Sequence, residues 1–328
     1  MTENREHKKC YFSPIKENWK GRSDGPQSLR FHEVVQCVDL QKNQPLKNQA
    51  ISHEKVQHGL IGFCSDEGIK RNLGRIGAAL GPASFRKALS NLPSNCSLYD
   101  FGDIHCIDRD LETAQQALAH AVEKIFSFGI HPIVIGGGHE LAWGHYQGIQ
   151  LAQQKRRCAI VNIDAHFDLR SKVNDQGTSG TSFLQIAHDC ETKQQPFDYT
   201  CIGIQQLGNT SVLFQQAKNL GVTTISAAQM HSEGISPAEK LIDKIIQRAD
   251  MIYLTICLDA FAIPFAPGVS APQPLGLFPW QVIPLITQLM QSGKVVSFDV
   301  AELSPPHDRD DATARLAAAL VATALKGN

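Results

Sequence analysis

Two carboxylates and an imidazole recur at every second residue in the segment NIDAHFDLR, residues 162–170. Asp164, His166 and Asp168 follow the apolar run CAIVNI, which predicts a strand. Side chains at i, i+2 and i+4 of an extended backbone point to one face, so we expect the three to converge. An N-cap aspartate beside an unrelated histidine is the alternative interpretation. Burying two carboxylates and an imidazole together in an apolar setting costs free energy unless a cation compensates their charge. The pattern therefore favours a metal site.

Three further apolar runs end in residues that can bind metal ions or polar ligands. PIVIGGGHE, residues 132–140, contains three glycines that let the backbone turn and approach another group closely. Such a loop could instead cradle a phosphate, but GGGHE is neither a GxGxxG nor a Walker sequence. A solvated surface carboxylate is the alternative for Glu302, although its place just past a strand favours a pocket. The candidates at these three strand ends are His139, Cys257, Asp259, Asp299 and Glu302.

The elements that would position these residues alternate along the chain from His58 onward. Helical spacing of apolar residues occurs at 109–128, 239–249 and 312–326. Short runs that are apolar on both alternations predict strands buried on two faces, and they are HGLIGFC, SLYDFG, PIVIGG, CAIVNID, YTCIGI, VTTIS, MIYLTICLD and KVVSFDV. The alternation predicts a three-layer α/β/α fold with a mostly parallel central sheet. Sheets of this kind bind ligands at the carboxyl ends of their strands.

Sequence composition limits the domain count and the classes of partner. We expect one domain over residues 1–328, with an irregular extension at about 1–56 that includes an amphipathic piece at 29–40. Lys plus Arg number 31 and Asp plus Glu number 32, so neither nucleic acid nor an anionic membrane is an expected partner. No apolar run approaches the roughly 18 residues that cross a bilayer, and MTENREHKKCYF does not read as a secretory signal. Nine cysteines without a CxxC pair indicate reduced thiols and a cytoplasmic location.

The number and type of candidate ligands predict a pair of metal ions. Oxygen and imidazole donors suit hard or borderline divalent cations, and Mn²⁺ is the natural candidate. Two ions about 3.5–4 Å apart can share a water, lower its pKa and present hydroxide to an electrophilic carbon. These residues therefore predict a hydrolase with two divalent ions and a small-molecule substrate.

GGGHE, DAHFD and the segment from TICLD to APGVSAP together resemble the ureohydrolase superfamily, which contains arginases, agmatinases and formimidoylglutamases. The resemblance implies an arginase-like fold and a binuclear manganese site in which Asp164 bridges the ions. The residues that match the family's ligands are His139, Asp164 and Asp168 on the first ion, His166 on the second, and Asp259 as the last aspartate of an S-x-D-x-D motif. Glu302 matches the acidic residue that receives the cationic group of the substrate.

Several stretches resemble formimidoylglutamases in particular, among them EGIKRNLGRIGAALGP, GTSGTSFLQIA, YTCIGIQQLGNT and SFDVAELSPPHDRDDATARLAAAL. This implies hydrolysis of N-formimidoyl-L-glutamate to L-glutamate and formamide by a metal-activated hydroxide, a step of histidine degradation. Asp168 is then the expected proton carrier. Arg170 is the first candidate for a substrate carboxylate because arginine binds carboxylates bidentately, and a surface ion pair is its alternative. Asn209 is expected to line the same pocket. Further candidates are Arg71, Arg75 and Arg309.

Two positions depart from the family pattern. The S-x-D-x-D motif reads Thr255-Ile-Cys257-Leu-Asp259, so Cys257 stands where an aspartate normally bridges the ions, and it is either a ligand or a buried structural cysteine. Relatives that act on guanidines carry a histidine in the loop that here reads TSGT, residues 178–181. The alternatives to a formimidoylglutamase are an agmatinase- or guanidinobutyrase-like amidinohydrolase and a metal-binding homologue with weak activity. Assembly into a homo-oligomer is left open.

Overall fold

The computed structural model describes residues 9–25, 29–42, 56–94, 96–154 and 156–326. The strands in these ranges are β1 (Tyr11–Phe12), β2 (Gln36–Cys37), β3 (His58–Cys64), β4 (Leu98–His105), β5 (His131–Gly136), β6 (Cys158–Ile163), β7 (Asp198–Ile204), β8 (Thr223–Ser226), β9 (Met251–Cys257) and β10 (Val295–Ala301). The helices are α1 (Phe31–Val34), α2 (Glu67–Arg71), α3 (Gly81–Ser90), α4 (Leu111–Ser127), α5 (Leu141–Ala152), α6 (Ser182–Thr192), α7 (Ser211–Asn219), α8 (Ala227–Ser232), α9 (Ser236–Arg248), α10 (Pro279–Gln291) and α11 (Ala312–Lys326).

The ten strands form one sheet in the order β1-β4-β3-β5-β10-β9-β6-β7-β8, with β2 also paired to β4. Every neighbouring pair is parallel except β1 and β4, which are antiparallel. The predicted strands all overlap β3 to β10, and the predicted helices overlap α4, α9 and α11. The predicted α/β fold with a mostly parallel sheet is therefore confirmed.

Each face of the sheet is covered by its own group of helices, which makes three layers. On β9, Ile252, Leu254 and Ile256 pack into one apolar cluster with α3, α9, α10 and α11. Met251 and Tyr253 of the same strand pack into the other cluster with α4, α5 and α6. Side chains alternate across a strand, so a strand buried on both faces needs apolar residues at successive positions. This requirement explains the continuous apolar runs in the sequence.

The described parts of the N-terminal stretch pack on this sheet. The amphipathic piece at 29–40 forms α1 and β2, and residues 11–12 form β1. Trp19 is buried, and its Nε1 donates a hydrogen bond to Asp100 Oδ2 at 2.7 Å. The expected division into one domain with an irregular extension stays a prediction, because residues 1–8, 26–28 and 43–55 lie outside the described ranges. Within those ranges no helix has both the length and the apolar character needed to cross a membrane.

A buried ion pair joins α3 to β4 beneath this N-terminal segment. Arg86 Nε and Nη2 donate to the two oxygens of Asp100 at 2.8 Å each, and Nη1 donates to Asp103 Oδ1 at 2.7 Å. The Arg86 side chain is 2% exposed and that of Asp100 is not exposed. Burial lowers the pKa of Arg86, but the two carboxylates outweigh it and raise that pKa overall.

Replacing Arg86 with Ala should lower the free energy of unfolding by about 3–5 kcal/mol, because it leaves buried carboxylate charge without a counterion. Arg248→Ala is the matched control. It removes a pair with Asp198 in which the arginine side chain is 32% exposed, and it should cost less than about 1 kcal/mol. Denaturation by urea measures both losses. Equal losses in the free energy of unfolding would show that the buried ion pair contributes no more than the partly exposed one.

Candidate metal centre

Four neighbouring parallel strands, β5, β10, β9 and β6, end at the same edge of the sheet. The chain beyond β5 reaches His139, and the chain beyond β6 reaches Asp164. Cys257 is the last residue of β9, and Glu302 follows the last residue of β10. Because parallel neighbours present their carboxyl ends together, residues more than a hundred positions apart in sequence meet at one place.

The segment after β6 converges by a turn and not by strand alternation. The strand ends at Ile163, and Asp168 adopts a left-handed backbone with φ of 50°. The expected extended backbone over 164–168 is therefore wrong. The cause lies in the contacts of the loop: His166 N–H donates to Asp164 Oδ1 at 2.8 Å, and Asn209 binds the backbone of this loop.

His139 lies between two of the aspartates. Its Nδ1 atom is 2.9 Å from Asp164 Oδ2 and 3.0 Å from Asp168 Oδ2. The sulfur of Cys257 also faces this group, since donor atoms of His139, Asp164 and Cys257 all lie within 4.8 Å of one another. The structure thus brings together the ligands predicted for the first ion, and it places the sulfur of Cys257 beside them.

A second set surrounds the other oxygen of Asp164. His166 Nδ1 is 3.1 Å from Asp259 Oδ2 and 3.7 Å from Asp164 Oδ1. Donor atoms of these three residues also lie within 4.8 Å of one another. Asp164 therefore presents one oxygen to each set, which is the arrangement that a carboxylate bridging two ions requires.

Three buried polar atoms around these sets have no hydrogen-bond partner among the described residues, namely His139 Nδ1, Asp259 Oδ1 and Glu302 Oε2. His139 Nδ1 is close to two carboxylates, yet neither contact has hydrogen-bond geometry. Buried donors and acceptors are normally satisfied, so each such atom requires an explanation. Nitrogen and oxygen lone pairs that face one another across a short gap suit a divalent cation. The residues present therefore fit a pair of metal ions.

The acid–base character of the cluster also depends on burial. Burial and the neighbouring Asp164 carboxylate raise the pKa of Asp168 to about 6. Burial acts to raise the pKa of Asp164 too, but its close contacts with His139 and His166 outweigh it and hold that pKa well below its usual value. Burial opposes charge on His139, yet Asp164 and Asp168 raise its pKa well above 6.5.

Glu302 closes the cluster on the side of β5. Its Oε1 accepts the backbone N–H of His139 at 3.0 Å, while its own N–H donates to Gly137 O at 2.8 Å. Its backbone is left-handed, with φ of 71°, and strain of this kind is kept only where surrounding contacts impose it. A Cβ atom on Gly137 would lie 1.6 Å from Ser65 O, so the close approach requires glycine there.

A cavity of about 330 Å³ opens above the two sets, which is within the range of small-molecule sites. Arg170 lies at its exposed rim and Asn209 in its wall, so both predicted substrate residues line it. Both amide hydrogens of Asn209 are used, since Nδ2 donates to Ala165 O and Gln205 O. A substrate contact by Asn209 stays a prediction, and it depends on the spare lone pair of Oδ1.

Among the further arginine candidates, only Arg75 lines the cavity. Arg71 donates to Glu67 and Glu112, which makes it a structural group. Arg309 is highly exposed and lies 3.9 Å from Asp310.

The sequence did not single out several groups at the cavity. Gln273 Nε2 is 3.4 Å from His166 Nε2, and Asn72 and Ser270 line the wall. Gln273 belongs to the Pro- and Gly-rich loop after Asp259. Such a composition predicts a loop, but it does not predict which side chains of the loop face the site. Asp299 does not line the cavity and lies behind it.

A model of the arginase family matches residues 56–326. The chain belongs to the arginase family. A formimidoylglutamase from Legionella pneumophila (strain Lens) is 46% identical over 313 residues, covering 94% of this chain and 95% of the relative. One from Clostridium tetani is 38% identical over 324 residues, covering 94% of each chain. The predicted family resemblance is confirmed.

Solved structures of the family have the same fold. A Trypanosoma cruzi formiminoglutamase with Mn²⁺ matches with a TM-score of 0.74 and 25% identity, covering 85% of this chain and 95% of that one. The formimidoylglutamase from Bacillus subtilis matches with a TM-score of 0.79 over 94% of each chain, at 21% identity. The latter likeness concerns the fold alone.

Replacing Cys257 with Asp should tighten Mn²⁺ binding and shift the preference from Zn²⁺ toward Mn²⁺ by about tenfold or more. Burial and nearby carboxylates raise the pKa of the Cys257 thiol well above its usual value, so a bound cation would have to hold it as thiolate. A thiolate favours softer ions than a carboxylate does. Metal analysis and chelator competition on the purified proteins measure stoichiometry and affinity.

Cys257→Ala tests whether the sulfur is a ligand at all, and it should weaken binding of one ion. Cys190→Ala is the matched control, because Cys190 is also buried but contacts Tyr146 outside the cluster. Tight binding of two ions by the wild type that Cys257→Ala leaves undiminished would identify Cys257 as a structural cysteine.

Proposed function

We propose that this member of the arginase family hydrolyses N-formimidoyl-L-glutamate to L-glutamate and formamide. The observation that carries the proposal is the order of charges along the cavity. Its floor holds a buried carboxylate with a free oxygen, Glu302 Oε2, beside the two candidate ligand sets. Its rim holds Arg75 and Arg170. A substrate that is cationic at its reacting end and carries two carboxylates at the other matches this order.

We assign two divalent ions, most simply Mn²⁺, to the two sets. His139, Asp164 and Asp168 would hold one ion, and His166 and Asp259 would complete the other with Asp164 shared; Cys257 would contribute its thiolate. When bound, the ions supply the Lewis acidity that activates a water molecule as the nucleophile. The Trypanosoma cruzi relative with Mn²⁺ supports this choice of metal.

The protein's own groups would bind the amidine and move the proton. Glu302 would accept a hydrogen bond from the cationic nitrogen through Oε2, since its other oxygen is held by the His139 amide. Asp168 lines the cavity, and its side chain is 12% exposed, so its carboxylate is open to a ligand bound there. It would take the proton as water adds to the formimidoyl carbon and deliver it to the glutamate nitrogen as the carbon–nitrogen bond breaks.

Arg170 and Arg75 would bind the substrate carboxylates. Within the described part of the chain neither arginine pairs with an acidic side chain. Arg75 donates instead to the carbonyl oxygens of Val269 and Ser270, which hold its guanidinium at the rim. Guanidinium groups that lack an internal acid remain available for a carboxylate ligand.

The same two charges disfavour the alternative substrates. Agmatine carries positive charge at both ends, and its amino end would meet the two arginines. Ser179 in the cavity wall stands in the loop where relatives that act on guanidines carry a histidine. A cytoplasmic location and a homo-oligomeric state stay predictions for this protein.

Activity assays on the purified protein test the function directly. We expect turnover of N-formimidoyl-L-glutamate that depends on added Mn²⁺ and is abolished by chelator, with little turnover of agmatine. Preference for agmatine would replace the proposal by an amidinohydrolase. Metal binding without turnover of either compound would identify a weakly active homologue.

Arg170→Ala should lower kcat/KM for N-formimidoyl-L-glutamate by a factor on the order of ten or more while the metal content stays unchanged. The loss should disappear with a substrate that lacks the carboxylate bound by Arg170. N-formimidoyl-4-aminobutyrate lacks the α-carboxylate, and N-formimidoyl-2-aminobutyrate lacks the γ-carboxylate. Arg309→Ala is the control, because this exposed arginine does not line the cavity. Unchanged kinetics would remove Arg170 from the substrate site.

A further inference from the structure

A chain of buried hydrogen bonds runs from His139 away from the cavity. His139 Nε2 is 2.9 Å from the hydroxyl oxygen of Thr255, and that hydroxyl is 2.7 Å from Asp299 Oδ1. Thr255 and Asp299 have no solvent exposure, and His139 is 1% exposed. Nothing in the proposed chemistry uses Thr255 or Asp299, so their burial as polar groups needs another reason.

The direction of each hydrogen bond follows from what the groups can donate. A carboxylate only accepts, so the single hydroxyl proton of Thr255 points to Asp299. The Thr255 oxygen must then accept from His139, which places a proton on His139 Nε2. The opposite nitrogen, Nδ1, faces Asp164 and Asp168 and would offer its lone pair to a bound cation. A neutral imidazole in this state is a metal ligand.

Asp299 is held so that its oxygen cannot turn away from Thr255. The Tyr253 hydroxyl donates to Asp299 Oδ2 at 2.5 Å, and His145 Nδ1 lies 2.6 Å from the same oxygen. His145 Nε2 is 2.6 Å from Ser297 Oγ, whose proton goes to the Pro132 carbonyl at 2.7 Å. Both nitrogens of His145 are therefore engaged in this buried network, which holds the Asp299 carboxylate in place.

We infer that Thr255 and Asp299 are positioning residues that hold a proton on His139 Nε2 and orient the ring so that Nδ1 faces the metal centre. The inference rests on the proposed metal centre and adds the groups that prepare it. An imidazole without this partner can turn or carry its proton on Nδ1, where it would oppose a cation. Loss of such outer partners typically costs on the order of 10- to 100-fold in metal affinity.

Three variants separate this role from simple packing. Thr255→Val keeps the shape of the side chain but removes the hydroxyl, whereas Thr255→Ser keeps the hydroxyl. Thr200→Val is the matched control, because Thr200 is a buried threonine on the neighbouring part of the sheet, in β7, and its hydroxyl has no hydrogen-bond partner among the described residues.

The measurement is the dissociation constant for Mn²⁺, obtained by chelator competition on each full-length protein, together with the melting temperature of each metal-free form. Thr255→Val should bind the tighter ion on the order of 10- to 100-fold more weakly. Thr255→Ser and Thr200→Val should bind it as the wild type does. The metal-free melting temperature of Thr255→Val should fall below that of Thr200→Val, because two buried groups lose their hydrogen-bond partner, and Thr255→Ser should restore it.

Wild-type affinity in Thr255→Val would overturn the positioning role, and so would an equal loss in Thr200→Val. In either case the proposed metal centre would stand, because the wild type still binds the ions. Absence of Mn²⁺ binding by the wild type would overturn both proposals. Weak binding by Thr255→Val that Thr255→Ser restores supports the positioning role.

Discussion

The burial of several carboxylates at one edge of the sheet is the constraint on which the site depends. Asp164 has no solvent exposure, and Asp259 and Glu302 are each 4% exposed. Transfer of a charged carboxylate out of water is strongly unfavourable unless it is paired. A pair of divalent cations held by these carboxylates together with His139 and His166 would offset this charge. Bound cations would therefore lower the cost of burying these carboxylates together.

The sheet provides the rigid frame that this arrangement needs. Ladders of backbone hydrogen bonds hold β5, β10, β9 and β6 in register, so the first residues beyond their ends have little freedom. Side chains then hold the loops themselves: Asn209 binds the backbone around residue 166, and Glu302 binds the backbone at residue 139. Sites supported by regular elements keep their geometry more accurately than sites on loops alone.

Charge is separated along the cavity as well as concentrated at its floor. The acidic floor suits cations, both metal ions and an amidine group, and the basic rim suits carboxylates. Glu302 takes part in both functions, because one oxygen shapes the loop of His139 and the other faces the substrate position. A single ligand in the proposed orientation would thus satisfy charges at both ends of the cavity.

The order of strands and helices and the identity of the chemical groups could be predicted from the sequence. Strands β3 to β10 were visible because burial on two faces requires continuous apolar runs, and short motifs marked His139, Asp164 and Asp168. The left-handed turn at Asp168 was not visible, because contacts with distant residues such as Asn209 impose it. Pairing of charges also depends on distances between remote segments. Only the tertiary structure therefore decided that Arg71 binds internal acids while Arg75 is left at the cavity rim, and that Asp299 lies behind His139.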